Sequence, residues 1–159
     1  MSKFTTARAE QYANIADIQA WANQVMERVP DFVIGDNYLR RWWVIPRSEF
    51  CNVYLHEIWK SDSDEAMHDH PWDSTSVLID GSYVEHTPEE RHLRSAGDVV
   101  QRLATDRHRL EIPEGGRAVS LFITGPKVRE WGFWCPKGFV HWKDFVDGSN
   151  TGRGGKGCA

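Results

Sequence analysis

From Tyr38 onward the chain is cut into short runs rich in aromatic and β-branched residues, with glycine or proline in most of the gaps. The runs are Tyr38–Ile45, Cys51–Trp59, Thr75–Ile79, Ser82–His86, Asp98–Leu103, His108–Ile112, Ala118–Thr124 and Glu130–Cys135. Between them stand Pro46-Arg47-Ser48, Asp80-Gly81, Thr87-Pro88, Ser95-Ala96-Gly97, Pro113-Glu114-Gly115-Gly116 and Gly125-Pro126. Such runs suit strands and are too short for ordinary helices. Turn residues at regular spacing end one strand and aim the next. The pattern predicts an all-β sandwich or barrel, the class that includes jelly rolls. In Cys51–Trp59, Cys51, Val53 and Leu55 alternate with Asn52, Tyr54 and His56, which predicts one buried face carrying the first set.

Ahead of the strands the period changes. Tyr12, Ile15, Ile18, Ala22, Val25 and Val29 recur at three- and four-residue steps, Trp21 lies beside them, and Pro30 ends the run. This predicts an amphipathic helix over about residues 12–29, packed on the outside of a barrel. The expected organisation is a polar arm at 1–10 and a single domain over 11–146, with its barrel at about 38–146. The glycine-rich stretch 147–159 is expected to be a flexible tail. The 159 residues suffice for one core, and no internal repeat is visible.

A formal net charge of -4 argues against a nucleic-acid partner. No apolar run is long enough to span a bilayer, and the first residues lack the apolar stretch of a signal peptide. The expectation is a cytoplasmic protein without a membrane partner. Cys51, Cys135 and Cys158 are an odd number with no CxxC, which implies no disulfide framework. Cys51 and Cys135 read as buried residues and Cys158 as a tail thiol.

The chemistry gathers in Met67-His68-Asp69-His70-Pro71-Trp72-Asp73. Two histidines one residue apart share a face of an extended segment, so both imidazoles can reach one cation. Imidazole binds zinc, iron, copper, nickel and manganese, so the pair indicates a metal without selecting one.

With the segment Gly97 to His108 added, the chain resembles the cupins. Their first motif is written G-x5-H-x-H-x3-4-E-x6-G, and His68, His70 and Gly81 fall on it. Asp62 replaces its opening glycine and Ser74 its glutamate. The second motif, G-x5-P-x-G-x2-H-x3-N, is matched at Gly97 and His108, with Leu103, Thr105 and Ile112 in place of the proline, second glycine and asparagine. The HDHPWD segment and the later REWGFWC segment also resemble small uncharacterised cupin-like proteins, some of them phage-encoded. The resemblance implies one cupin double-stranded β-helix that works as a homodimer. It also implies a divalent metal on His68, His70 and His108, with Fe(II) favoured and Zn, Mn or Ni open.

Asp73 is a fourth candidate ligand if the chain bends at Pro71-Trp72. Strand alternation would instead point it away, to a turn or to the far nitrogen of an imidazole. A site of three imidazoles and no carboxylate favours a small, anionic, chelating substrate and disfavours the 2-oxoglutarate type of iron enzyme. Trp72, Tyr83, Trp131, Phe133 and Trp134 are candidates for an apolar pocket wall. Tyr83 and Glu130 are the candidate catalytic residues, Glu130 as general base. Arg102, Arg107, Arg109 and Arg129 could steer a carboxylate, although Arg107 and Arg109 should face away if His108 faces in. Three functions follow: an iron dioxygenase-like enzyme, an isomerase or hydrolase using a redox-inert metal, and a small-molecule-binding module without turnover.

Overall fold

The computed structural model describes residues 14–62, 66–147 and 150–159. Its elements run α1 (Ile15–Met26), β1 (Phe32–Ile34), β2 (Leu39–Trp43), β3 (Asn52–Ile58), β4 (Met67–His68), β5 (Ser74–His86), β6 (Arg91–Ser95) and β7 (Val99–Arg102). They continue with β8 (Arg109–Glu111), β9 (Ala118–Thr124), β10 (Gly132–Cys135), β11 (Gly138–His141), α2 (Trp142–Phe145), β12 (Val146–Asp147) and β13 (Asn150–Gly154). The expected arm and Tyr12 lie outside the described residues. Helix α1 is shorter than expected. It starts where the Asn14 side chain accepts the Ala16 N–H at 3.2 Å, and it ends before Val29 and Pro30.

All strand pairs are antiparallel, and the largest sheet runs β1-β2-β3-β9-β5-β6, with β7 and β8 also on β5. Strand β5 organises the barrel. The two runs expected at Thr75–Ile79 and Ser82–His86 are one strand, whose first half pairs with β7 and β9 and whose second half pairs with β6 and β8. A register shift between Leu78 and Asp80 bends it. At the bend Gly81 has φ +71, and a Cβ there would lie 1.9 Å from the Arg117 carbonyl oxygen. Only glycine fits that corner.

The alternation in β3 resolves against expectation, because both of its faces are covered. Leu55 packs outward with Trp42, Ile79 and Val119 against Ile18, Trp21, Ala22 and Val25 of α1. That outer layer is the expected apolar stripe. Asn52, Tyr54 and His56 form the other face and point into the barrel. Cys51, expected in the core, is exposed, since α1 covers only the middle of the outer face. Inside, Leu39, Ile58, Leu78, Tyr83, Ile112 and Ala118 plug one end of the barrel. Toward the other end the interior is polar.

Residues 150–159 make contacts that composition hides. The Gly155 and Gly157 N–H groups both donate to the Phe145 carbonyl, at 3.2 and 3.0 Å. Cys135 and Cys158 form a disulfide with Cα atoms 5.5 Å apart, which corrects the expectation of no disulfide. The bond buries Cys135 with Ala66, Phe145 and Val146. Among the described residues, no helix is long and apolar enough to cross a membrane.

Closing a loop over a sequence separation of 23 stabilises by about 3 kcal/mol in the chain-entropy account. Cys158→Ser is expected to lower the urea unfolding free energy by about that amount, and excess dithiothreitol should bring the wild type to the same value. Equal stability with and without reductant would contradict this.

Candidate metal centre

The short strand β4 is held on both sides. Its His68 pairs with Phe133 of β10 on one side and with His108 on the other. The His68 N–H donates to the His108 carbonyl at 2.8 Å, and the His108 N–H donates back at 2.9 Å. The His70 N–H donates to the Ala104 carbonyl at 3.2 Å. Between the two histidines, Asp69 is fully buried and turned the other way. Its carboxylate accepts the Gly132 N–H at 2.9 Å and the Trp134 indole N–H at 2.9 Å, and it pairs with Arg129 at 2.6 Å. Asp69 therefore anchors the segment to β10, and alternation leaves His68 and His70 on the opposite face.

The three imidazoles converge. Their ring centroids lie 5.0 Å apart for His68 and His70, 4.8 Å for His68 and His108, and 5.1 Å for His70 and His108. One ring nitrogen from each lies within 4.8 Å of the others. Burial pushes the His68 pKa down to about 4 and that of His70 well below its ordinary value. Both are neutral at pH 7, the form that donates a lone pair to a metal.

Behind His108 stands a carboxylate. Glu85 is buried, and its Oε1 lies 2.8 Å from His108 Nδ1. Arg102 Nε donates to the same oxygen at 2.7 Å, and Arg94 Nε donates to Oε2 at 2.9 Å. Burial alone would raise the Glu85 pKa, but the His108 hydrogen bond and the Arg102 charge outweigh it and hold the carboxyl below its usual range. An ionised carboxylate only accepts, so His108 Nδ1 carries a proton and Nε2 is the nitrogen left to serve as a ligand. Asp62 stands 3.7 Å from His68 Nδ1 and accepts the Tyr38 hydroxyl and the Leu110 N–H.

These features test the fit of a cation. His70 Nδ1 and His108 Nε2 are buried and have no hydrogen-bond partner. Leaving buried polar atoms unpaired costs free energy, and here they belong to two imidazoles of one cluster. Three imidazole nitrogens, one ring held in orientation by a carboxylate, suit a borderline divalent metal.

The other expected residues fall in different places. Asp73 is not in the cluster; it is exposed, and its Oδ1 accepts the Ala104 N–H at 2.7 Å. Glu130 is also exposed, bonded to Lys127 and, at 3.0 Å, to His141, and those bonds lower its pKa to about 2. It does not belong to the imidazole cluster. Tyr83 belongs to the apolar plug, with its hydroxyl 3.5 Å from Arg102 Nη2. Three expected aromatics do wall the cluster. Trp72 stacks on His70 at 5.3 Å, and Phe133 and Trp131 lie 5.9 and 6.4 Å from His68. Trp134 instead lies under Arg107, and Arg129 and Arg102 are bonded to Asp69 and Glu85.

No protein-family model matches the sequence, and no curated protein does. Solved structures do resemble it. An uncharacterised conserved protein with a double-stranded β-helix domain from Klebsiella pneumoniae is 17% identical, with a TM-score of 0.52 over 69% of this chain and 92% of that one. A cupin-like protein from Thermotoga maritima is 14% identical, with a TM-score of 0.50 over 66% and 80% of the two chains. A polyketide cyclase from Streptomyces resistomycificus is also 14% identical, with a TM-score of 0.50 over 58% and 68%. Likeness at this identity is likeness of fold, and the fold is the cupin double-stranded β-helix.

A buried histidine outside the cluster gives a pH dependence. His56 Nε2 accepts from Arg41 Nε at 2.8 Å, and burial, then the Arg41 charge, holds its pKa well below 6.5. A histidine with a depressed folded pKa contributes stability that is fully present above its unfolded pKa and lost as pH falls below it. Below about pH 6.5 this loss is at most about 1.4 kcal/mol per pH unit. His56→Gln keeps an acceptor for Arg41 without titrating. Urea unfolding at pH 7 and pH 5 should show a smaller acid loss in that variant, and an equal loss would contradict the assignment.

Proposed function

We propose that this chain, a cupin by fold, is a metal-binding cupin that acts on a small anionic metabolite. His68, His70 and His108 hold one divalent cation, Fe(II) in the first instance. The observation that carries this reading is the pair of buried, partnerless nitrogens on His70 and His108, set beside the neutral imidazole of His68. Fe(II) held there would supply redox chemistry and a template on which a chelating substrate and dioxygen meet.

The chain's own residues prepare that site. Glu85 holds the His108 ring and its proton, and Asp69 fixes the segment that carries the other two ligands. Trp72, Phe122 and Phe133 surround the imidazoles with apolar surface that limits water. Among the described residues no carboxylate belongs to the cluster, so these three ligands leave a bound dication with net positive charge toward the substrate. That charge favours an anion with two oxygen donors.

Metal analysis of protein purified without chelator should find one equivalent of metal, with oxygen uptake if the metal is iron. The double variant His68→Ala/His70→Ala should bind at least about a hundredfold more weakly, and Glu85→Gln about ten- to a hundredfold. Zinc or manganese without oxygen uptake would indicate Lewis-acid isomerisation or hydrolysis instead. Wild type without metal, or a double variant that keeps it, would contradict the site.

A further inference from the structure

Among the described residues, four buried side-chain polar atoms have no hydrogen-bond partner: His70 Nδ1, His108 Nε2, Ser74 Oγ and Thr124 Oγ1. The first two belong to the imidazole cluster. The other two are neighbours of each other, because Ser74 of β5 pairs directly with Thr124 of β9. Directly paired residues point to the same face of a sheet, with Cβ atoms about 5 Å apart. That face is the barrel interior. Ser76, two residues after Ser74, accepts from Arg102 Nη1 at 3.1 Å, and Arg102 leads through Glu85 to His108. Phe122, two residues before Thr124, has its ring 6.0 Å from that of His70 and 5.6 Å from that of Trp72.

The same row across the sheet contains two other polar residues, and both are already bonded. Asn52 pairs with Thr124, and its amide both accepts from and donates to the Ser48 backbone. Arg102 pairs with Ser74 and is bonded to Glu85 and Ser76. Ser74 and Thr124 are 6% and 1% exposed, so bulk solvent does not satisfy them. Each hydroxyl has one proton to donate and can rotate to aim it. Two such donors on one wall can converge on a single acceptor oxygen.

We propose that Ser74 and Thr124 form an oxygen-binding subsite for the carboxylate or enolate oxygen of a small chelating anion seated against the three imidazoles. This deepens the metal-binding reading and rests on it for the position of the anion. The hydroxyls are kept for the ligand and not for the fold, so their removal should strengthen the empty protein while weakening anion binding.

The test uses full-length wild type, Ser74→Ala, Thr124→Val, the double variant and Thr124→Ser. Malonate is the probe, and its affinity is read from the thermal shift it produces. In metal-free protein, Ser74→Ala and Thr124→Val should each raise Tm by about 2–4 °C. With Co(II) loaded, the double variant should still take one equivalent but bind malonate at least about tenfold more weakly. Thr124→Ser, which keeps the hydroxyl, should stay within about threefold of wild type. A fall in Tm for both single variants would make the hydroxyls structural and overturn the subsite, as would unchanged malonate affinity in the double variant. If the wild type takes no Co(II), the metal reading fails separately. The subsite then stands if malonate raises the Tm of metal-free wild type more than that of the double variant, and falls if the two shifts are equal.

Discussion

The buried carboxylate of Glu85 joins the barrel wall to the imidazole cluster. It accepts from His108, Arg102 and Arg94. A lone buried charge would be costly, and two guanidinium groups offset that cost. The group is more than a salt bridge, because one of its partners is a candidate ligand. Removing either side of such a buried pair typically destabilises by about 3–5 kcal/mol, since the partner is left charged and unpaired. The network therefore ties the integrity of the barrel interior to the orientation of one ring.

The rest of the fold brings the other groups to that point. Strand β5 crosses from one part of the sheet to the other at the Gly81 corner, so Ser74, Ser76 and Glu85 sit on a single strand. The apolar plug of Leu39, Ile58, Leu78 and Ala118 closes one end and leaves the polar end for chemistry. The C-terminal segment completes the aromatic wall. Phe145 stacks on Phe133 with ring centroids 3.7 Å apart, and Trp142 stacks on Trp131 at 5.8 Å. The disulfide from Cys135 to Cys158 holds that segment against the strand that pairs with His68.

The sequence was most readable where the chemistry depends on local spacing. His68 and His70 share a face because they are one residue apart on an extended segment, and the motif separation led to His108. Glu85 escaped notice because its contact with His108 spans 23 residues and exists only once β5 pairs with β8. One signal was available: Glu85 is two residues from Tyr83, so an inward Tyr83 implied an inward carboxylate. In β3 the alternation was seen correctly, but one buried face was expected where both are covered. Hydrophobicity suggested that Asn52, Tyr54 and His56 face solvent, whereas they line a polar barrel and Leu55 packs under a helix. Asp73 was chosen for its place beside the missing motif glutamate and Glu130 as the remaining candidate base, and neither belongs to the cluster. The disulfide could not be read, because no local spacing marks a bond across this distance.

The central claim is that three imidazoles, with no carboxylate among the described residues, form one metal site. X-ray absorption at the metal edge tests it most directly, on protein loaded with one equivalent of zinc. The account predicts three imidazole nitrogens at about 2.0–2.1 Å, with the remaining donors being light atoms from solvent. In His108→Ala the imidazole signal should fall by a third. A spectrum with fewer than three imidazoles in the wild type, or with sulfur at about 2.3 Å, would contradict the account.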